Sequence, residues 1–170
     1  MTLTKTFRLS LITACTLLIS STPMTVGRGS VRALVKNAPQ TEARQELARA
    51  RGATAKYHDV AEAEADGYVN IGLNLPGEGL HYVNFSLIDG TFDPEQPEVL
   101  LYASVAGETG LHLVAVEYLV PLSPNPPTGF TGDDDEWRQD TEGFGLWELT
   151  VWLWLQNPEG VFADDNPRIP

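Results

Sequence analysis

Cysteine is almost absent from this chain, and basic residues are scarce over most of its length. Cys15 is the single cysteine, so the fold contains no intramolecular disulfide and depends on its apolar core. Eleven Lys and Arg residues stand against 23 Asp and Glu residues, which gives a formal net charge of -12. Because binding of nucleic acid requires a basic footprint, this balance excludes nucleic acid as an expected partner.

The signatures of several large enzyme classes are also missing. The chain has no P-loop, no Gly-x-Gly-x-x-Gly segment, no His-Glu-x-x-His pair and no Gly-x-Ser-x-Gly elbow. Its three histidines are His58, His81 and His112. These absences favour a protein that is not an enzyme, and no cofactor is predicted.

A long hydrophobic run is missing too. The most apolar segment, Leu9–Ile19, covers 11 residues, whereas a membrane span needs about 20. Lys5 and Arg8 precede this segment, and small or turn-forming residues follow it at positions 20–23. This order predicts a secretory signal peptide over residues 1–27, with the mature protein exported to the periplasm or the medium. No stable membrane span is expected.

Charge is divided unevenly along the rest of the chain. Residues 28–56 hold seven basic and two acidic residues, whereas residues 57–170 hold two basic and 21 acidic ones. We predict a basic arm and helix over residues 28–52, followed by a single α+β domain over residues 53–170. The acidic body is typical of a well-solvated surface.

Local signals predict two helices followed by strands. Gln40–Arg51 is rich in helix-forming residues, and Val60–Asp66 lies between a capping Asp59 and Gly67. Apolar runs bounded by Gly, Pro and Asp predict five strands: Tyr68–Leu75, Leu80–Phe85, Glu98–Val105, Leu111–Val120 and Leu146–Leu155. Residues 121–145 are rich in Pro and Gly and indicate a long loop. The predicted fold class is α+β, with two N-terminal helices packed on a mainly antiparallel sheet of about five strands.

Two polar side chains fall on predicted apolar faces. Alternation along Leu111–Val120 places Glu117 between Ala115 and Leu119, in a strand covered on both sides. Glu117 is then either a functional acid, base or metal ligand, or a structural carboxylate bonded to Tyr or a backbone amide at the wet end of the strand. His81 is likewise either a core residue with its hydrogen bonds made or a ligand, and it is the first candidate for a polar partner of Glu117. These two residues are also weak candidates for a metal site.

The last predicted strand carries the other candidates. Glu148, Trp152 and Trp154 share one of its faces with Thr150. Two indoles beside a carboxylate and a hydroxyl suit a pocket wall, which combines apolar area with a few polar groups. The same composition suits an amphipathic surface covered by the long loop or by a helix. The candidate ligand-binding residues are therefore His81, Glu117, Glu148, Trp152 and Trp154.

Four motifs follow one another along the chain. They are ATAKYHDV from Ala53, GLHYVN from Gly79, LVAVEY from Leu113, and VWLW from Val151 with NPEGVF and a final Asn-Pro after it. Together they resemble a family of small exported bacterial proteins of unassigned function. The resemblance covers residues 53–168 and implies export without implying an activity. Relatives in this family often carry histidine at the position of Thr150, so a metal site of the family there would lack one ligand in this chain.

Three classes of function are open from the sequence. The leading hypothesis is a non-catalytic, exported domain that binds a small, partly apolar molecule. One alternative is a metal-dependent or acid/base enzyme that uses His81 and Glu117, with Glu148 as a third group. Another is a protein-interaction module, of unknown partner, that uses the basic arm and the 121–145 loop. Polar groups that converge would support the enzyme, and polar groups dispersed around an apolar cavity would support the binding domain. A flat, exposed aromatic patch would support the interaction module.

Overall fold

A computed structural model of the chain describes residues 28–132, 134–140 and 143–170. The predicted signal peptide at residues 1–27, which includes Cys15, lies outside the described residues. Over the described part of the chain, no helix is both long and apolar enough to cross a membrane.

The described residues form one antiparallel sheet preceded by helices. The helices are α1 (Arg28–Thr54), a 3₁₀ helix (Ala55–His58) and α2 (Val60–Ala65). The strands are β1 (Val69–Leu75), β2 (Gly79–Val83), β3 (Val99–Ala103), β4 (His112–Pro121), β5 (Arg138–Gln139) and β6 (Leu146–Val151). Their order across the sheet is β1-β2-β3-β4-β6-β5, and all neighbours are antiparallel.

The predicted fold class is wrong. In place of two N-terminal helices packed on about five strands, the described residues form mainly a six-stranded antiparallel sheet with one long helix and one short helix. Gly52 does not end the first helix, because a helical glycine costs only about 1 kcal/mol and the buried Thr54 hydroxyl binds the Ala50 carbonyl one turn earlier. The additional strand, β5, has two residues and lies inside the predicted loop.

The two faces of the sheet are covered differently. On the helix face, aromatic and aliphatic side chains pack against Leu47, Ala50 and Tyr57 of the helical segment. The core residues of the helix face include Tyr82, Leu100, Tyr102, Val116, Tyr118 and Leu149. We call the opposite side the pocket face; its core residues include Val83, Val99, Leu101, Ala115, Leu119 and Trp152.

Strand β4 lies between β3 and β6 and is covered on both faces. Its residues from Leu113 to Val120 are all buried, which confirms the prediction of a strand covered on both sides. The register with β3 contains a bulge, because Leu101 pairs with Ala115 whereas Tyr102 pairs with Leu113. Leu113 therefore faces the helices, and simple alternation, which placed it beside Glu117, is wrong at this point.

A buried carboxylate lies immediately before β3. Glu98 is 2% exposed, and its Oε2 accepts a hydrogen bond from the backbone amide of Leu119 at 3.0 Å. Burial raises the pKa of Glu98 from 4.5 to about 8, although the hydrogen bond from Leu119 opposes this shift. Between these two pH values the folded protein retains a proton that the unfolded chain has released.

We expect this proton to make stability depend on pH. Because the folded state binds more protons between pH 4.5 and about 8, the free energy of unfolding should fall as pH rises through this range. Glu98→Gln cannot titrate, so its stability relative to the parent chain should rise from pH 5 to pH 9 by on the order of a few kcal/mol. Urea unfolding of both proteins at the two pH values measures this difference. Parallel pH profiles would contradict a buried, protonated Glu98.

Candidate functional site

A cavity of about 420 Å³ lies on the pocket face, above β2, β3 and β4. Its walls are mostly apolar and include Ile71 and Leu73 of β1 together with Ile88. Phe85 and Phe144 also line it and are 63% and 67% exposed. Large apolar side chains exposed around one opening are typical of a binding site rather than of an ordinary surface.

Three ionisable side chains converge in this cavity. The Nε2 atom of His81 lies 3.1 Å from Oε2 of Glu78 and 3.9 Å from Oε2 of Glu117. His81 and Glu117 come from β2 and β4, so their side chains approach each other across β3 on the same face. The sequence analysis predicted this pair, and the structure adds Glu78 to it.

A glycine-bounded turn between β1 and β2 holds Glu78 above His81. Gly79 has a φ of 102°, and a Cβ atom there would lie 2.5 Å from the carbonyl oxygen of Tyr102. A side chain at this position would therefore push β2 away from β3. The backbone of Gly79 thus lies close against β3, and this contact fixes the turn that carries Glu78.

The backbone of the same turn orients the imidazole of His81. Its Nδ1 atom lies 3.0 Å from the carbonyl oxygen of Gly79. A carbonyl oxygen can only accept a hydrogen bond, so Nδ1 carries a proton and donates it. The other ring nitrogen, Nε2, is thereby directed at the two carboxylates.

Glu117 is buried, as predicted, with 5% of its surface exposed. The hydroxyl of Thr150, its cross-strand neighbour on β6, donates a hydrogen bond to Oε1 at 3.4 Å. The predicted first partner, His81, lies at 3.9 Å and is therefore beyond hydrogen-bond distance. Thr150 is the closer partner, and its bond leaves Oε2 directed towards the imidazole.

Burial and mutual attraction make this cluster retain protons. Burial raises the pKa of Glu117 to about 8, and the nearby His81 opposes this shift. Burial by itself lowers the pKa of His81, but the hydrogen bond to Glu78 and the charge of Glu117 outweigh it, so the net shift is upward. Perturbed groups that converge in a cavity are typical of functional sites.

Two further carboxylates, Glu148 and Asp140, also line the cavity. Asp140 accepts hydrogen bonds from the backbone amides of Phe144, Gly145 and Leu146, which lower its pKa. These bonds fix the end of the long loop and hold Phe144 at the cavity. No lysine or arginine is among the described residues that line the cavity.

The predicted tryptophan wall is not part of this cavity. Trp152 keeps the predicted face, whereas Trp154, which lies beyond the end of β6 at Val151, does not. Trp152 is buried in the core of the pocket face, where its indole donates a hydrogen bond to the carbonyl of Ala163. Trp154 packs on the helix side, with its ring 4.5 Å from the guanidinium of Arg51. The structure therefore groups His81, Glu117 and Glu148 and separates both tryptophans from them.

Glu78 and Phe144 are site residues that the sequence analysis missed. The signal for Glu78 was its position between Gly77 and Gly79, three residues from a candidate histidine. Phe144 carried no such signal, because its place at the cavity depends on hydrogen bonds within a long loop.

Comparison of the chain with protein-family models, curated proteins and solved structures found no matching family model and no significant similarity to a curated protein or a solved structure. The resemblance to a family of exported bacterial proteins therefore stays a prediction, and the function is argued from the cavity alone.

We expect two substitutions of Glu117 to differ sharply in stability. Glu117→Gln keeps the shape and an acceptor for Thr150, so its free energy of unfolding should stay within about 1 kcal/mol of the parent value. Glu117→Ala leaves a cavity and buried polar neighbours without a partner, which should cost about 1–3 kcal/mol. Urea unfolding measures both, with Glu159→Ala as an exposed control. Equal stability of all three variants would show that the carboxylate is not buried.

Proposed function

We propose that this is an exported protein that binds a small, partly apolar molecule in the cavity on the pocket face. The observation that carries the proposal is the convergence of Glu78, His81 and Glu117 in a cavity whose walls are mostly apolar. A volume of about 420 Å³ lies within the range of small-molecule sites, roughly 300–1,000 Å³. Apolar walls supply affinity in such sites, and a few converging polar groups orient the ligand.

The charges around the cavity indicate the chemistry of the ligand. Its polar lining consists of four carboxylates and one histidine: Glu78, Glu117, Asp140, Glu148 and His81. Carboxylates attract cations and hydrogen-bond donors and repel anions. The proposed ligand therefore has an apolar body and a positively charged or hydrogen-bond-donating end, as in an alkylamine.

The location is proposed from the start of the sequence. Two basic residues, a short apolar segment and small residues follow one another over residues 1–27, as in a secretory leader. The ligand would therefore be encountered in the periplasm or the medium.

A second candidate is an acid/base or metal-dependent enzyme that uses His81 and Glu117. The raised pKa values of both groups within one cavity favour it, and Glu148 lines the same space. The interaction module has less support, because Trp152 is buried and Trp154 is packed beneath Arg51 instead of forming an exposed aromatic patch.

The proposal predicts selection by ligand charge. Hexylamine, hexanol and hexanoate share one apolar chain and differ in their polar end, so they can be titrated in the presence of a chelator that removes competing metal ions. We expect hexylamine to bind tightest and hexanoate weakest, with dissociation constants that differ by roughly tenfold or more. Isothermal titration calorimetry measures the three dissociation constants. Absence of binding by all three, or tighter binding of hexanoate, would contradict the proposed ligand class.

A matched pair of variants tests whether the cavity is the site. Phe144 and Leu122 are both exposed apolar residues near the two ends of the long loop, but only Phe144 lines the cavity. Phe144→Ser should weaken hexylamine binding because it removes part of the apolar wall, whereas Leu122→Ser should leave binding unchanged. Equal effects would place binding elsewhere.

Export has its own prediction. Mass spectrometry of the protein recovered outside the cytoplasm should show an N-terminus after about residue 20, because cleavage follows the apolar segment. A diacylglycerol-modified Cys15 at the N-terminus would instead identify a lipoprotein.

A further inference from the structure

The surroundings of His81 contain a conflict between hydrogen-bond acceptors. Nδ1 donates its proton to the carbonyl of Gly79, so in the neutral imidazole Nε2 carries a lone pair. That lone pair faces Oε2 of Glu78 at 3.1 Å and Oε2 of Glu117 at 3.9 Å. Ionised carboxylates are also acceptors only. With both carboxylates ionised, three electron-pair donors therefore face one another, and the arrangement is favourable only when a proton or a metal ion lies between them.

The arrangement has the dimensions of a metal site. One donor atom from each of Glu78, His81 and Glu117 can be chosen so that all three lie within 4.8 Å of one another. A tetrahedral Zn²⁺ ion bound at about 2.0–2.2 Å holds neighbouring donors roughly 3.3–3.6 Å apart. The observed separations of 3.1 and 3.9 Å bracket this range.

The neighbours of the three donors are those that a metal site needs. Metal-binding histidines usually donate their second N–H to a carbonyl or carboxylate, which fixes the ring, and Gly79 supplies that carbonyl. Ligating carboxylates are themselves hydrogen-bonded, and Thr150 donates to the second oxygen of Glu117. The cavity leaves access to the donors from solvent, so an ion can enter and retain an open coordination position.

We propose that Glu78, His81 and Glu117 bind one divalent transition-metal ion, represented by Zn²⁺, at the floor of the cavity. One imidazole nitrogen with two carboxylates suits zinc and its first-row neighbours. Ca²⁺ and Mg²⁺ are bound through oxygen ligands and should bind much more weakly here.

Metal binding does not rest on the proposed function, because the ion alone can be titrated. If the metal site and the small-molecule site are both correct, a bound ion changes which ligand fits. The ion presents a positive charge, whereas the carboxylates alone attract a positive charge. If the alkylamine does not bind but the metal ion does, only the proposed ligand class is contradicted.

The first test titrates Zn²⁺ into the chelator-treated chain, with Cys15 alkylated to prevent binding through its thiol. We expect one ion per chain, and dissociation constants raised on the order of 100-fold or more in His81→Gln and in Glu117→Gln, above the 10- to 100-fold cost of losing an outer-shell partner. Glu98→Gln changes another buried carboxylate and His112→Gln another histidine, so both should bind as the parent does. The proposal would be overturned if Glu98→Gln and His112→Gln lost as much affinity for Zn²⁺ as the two site variants. It would also be overturned if the parent chain showed no saturable binding of Zn²⁺.

The second test needs no substitution and so does not depend on the folding of a variant. In ¹⁵N-labelled protein, Zn²⁺ should shift the Nε2 signal of His81 while its Nδ1 remains protonated, and the ring signals of His58 and His112 should stay in place. An Nε2 signal that Zn²⁺ does not move would show that a proton alone satisfies the cluster. Shifts at His58 or His112 instead would place the ion elsewhere; either result overturns the proposal.

Discussion

Strand β4 is covered on both faces, so every polar group that it carries has to be satisfied inside the protein. Its backbone is satisfied by β3 and β6, which pair with it on either side. The carboxylate of Glu117 cannot be satisfied in this way. It takes a hydroxyl from Thr150 on β6 and approaches the imidazole of His81 on β2. One buried carboxyl group thus determines where side chains from three strands meet.

The difference between the two faces explains why the cavity is where it is. The helix face carries large aromatic residues whose polar ends bind backbone carbonyls: the hydroxyl of Tyr102 donates to Tyr57, that of Tyr68 to Pro97 and that of Tyr118 to Pro94. These bonds tie the sheet to the segments that cover it. The pocket face carries mainly aliphatic side chains beneath the turn and loop that hold Glu78 and Phe144. The cavity that holds His81 and Glu117 therefore lies on the pocket face.

Much of the sheet and part of the site could be predicted from residue order. The burial of Glu117 followed from its apolar neighbours, because alternation is a local property of strands. The fold class failed because the two-residue strand β5 and the continuation of α1 through Gly52 are decided by tertiary packing, which sequence propensity does not contain. The two tryptophans failed for different reasons: Trp152 keeps its predicted face but is buried in the core, and Trp154 leaves that face because β6 stops at Val151. Glu78 was missed because it lies on a turn.

The bulge in β4 has a consequence for how freely the chain can vary. Val114 is the extra residue between the pairs Leu101–Ala115 and Tyr102–Leu113, so it interrupts the register between the β3–β4 hairpin loop and Glu117. On the far side of the bulge, β4 is held by six consecutive pairings with β6, from Val116 to Pro121. Insertions or deletions in the hairpin loop can be absorbed at the bulge, while the carboxylate keeps its place. The fold thus separates a segment that tolerates change from one that does not, within a single strand.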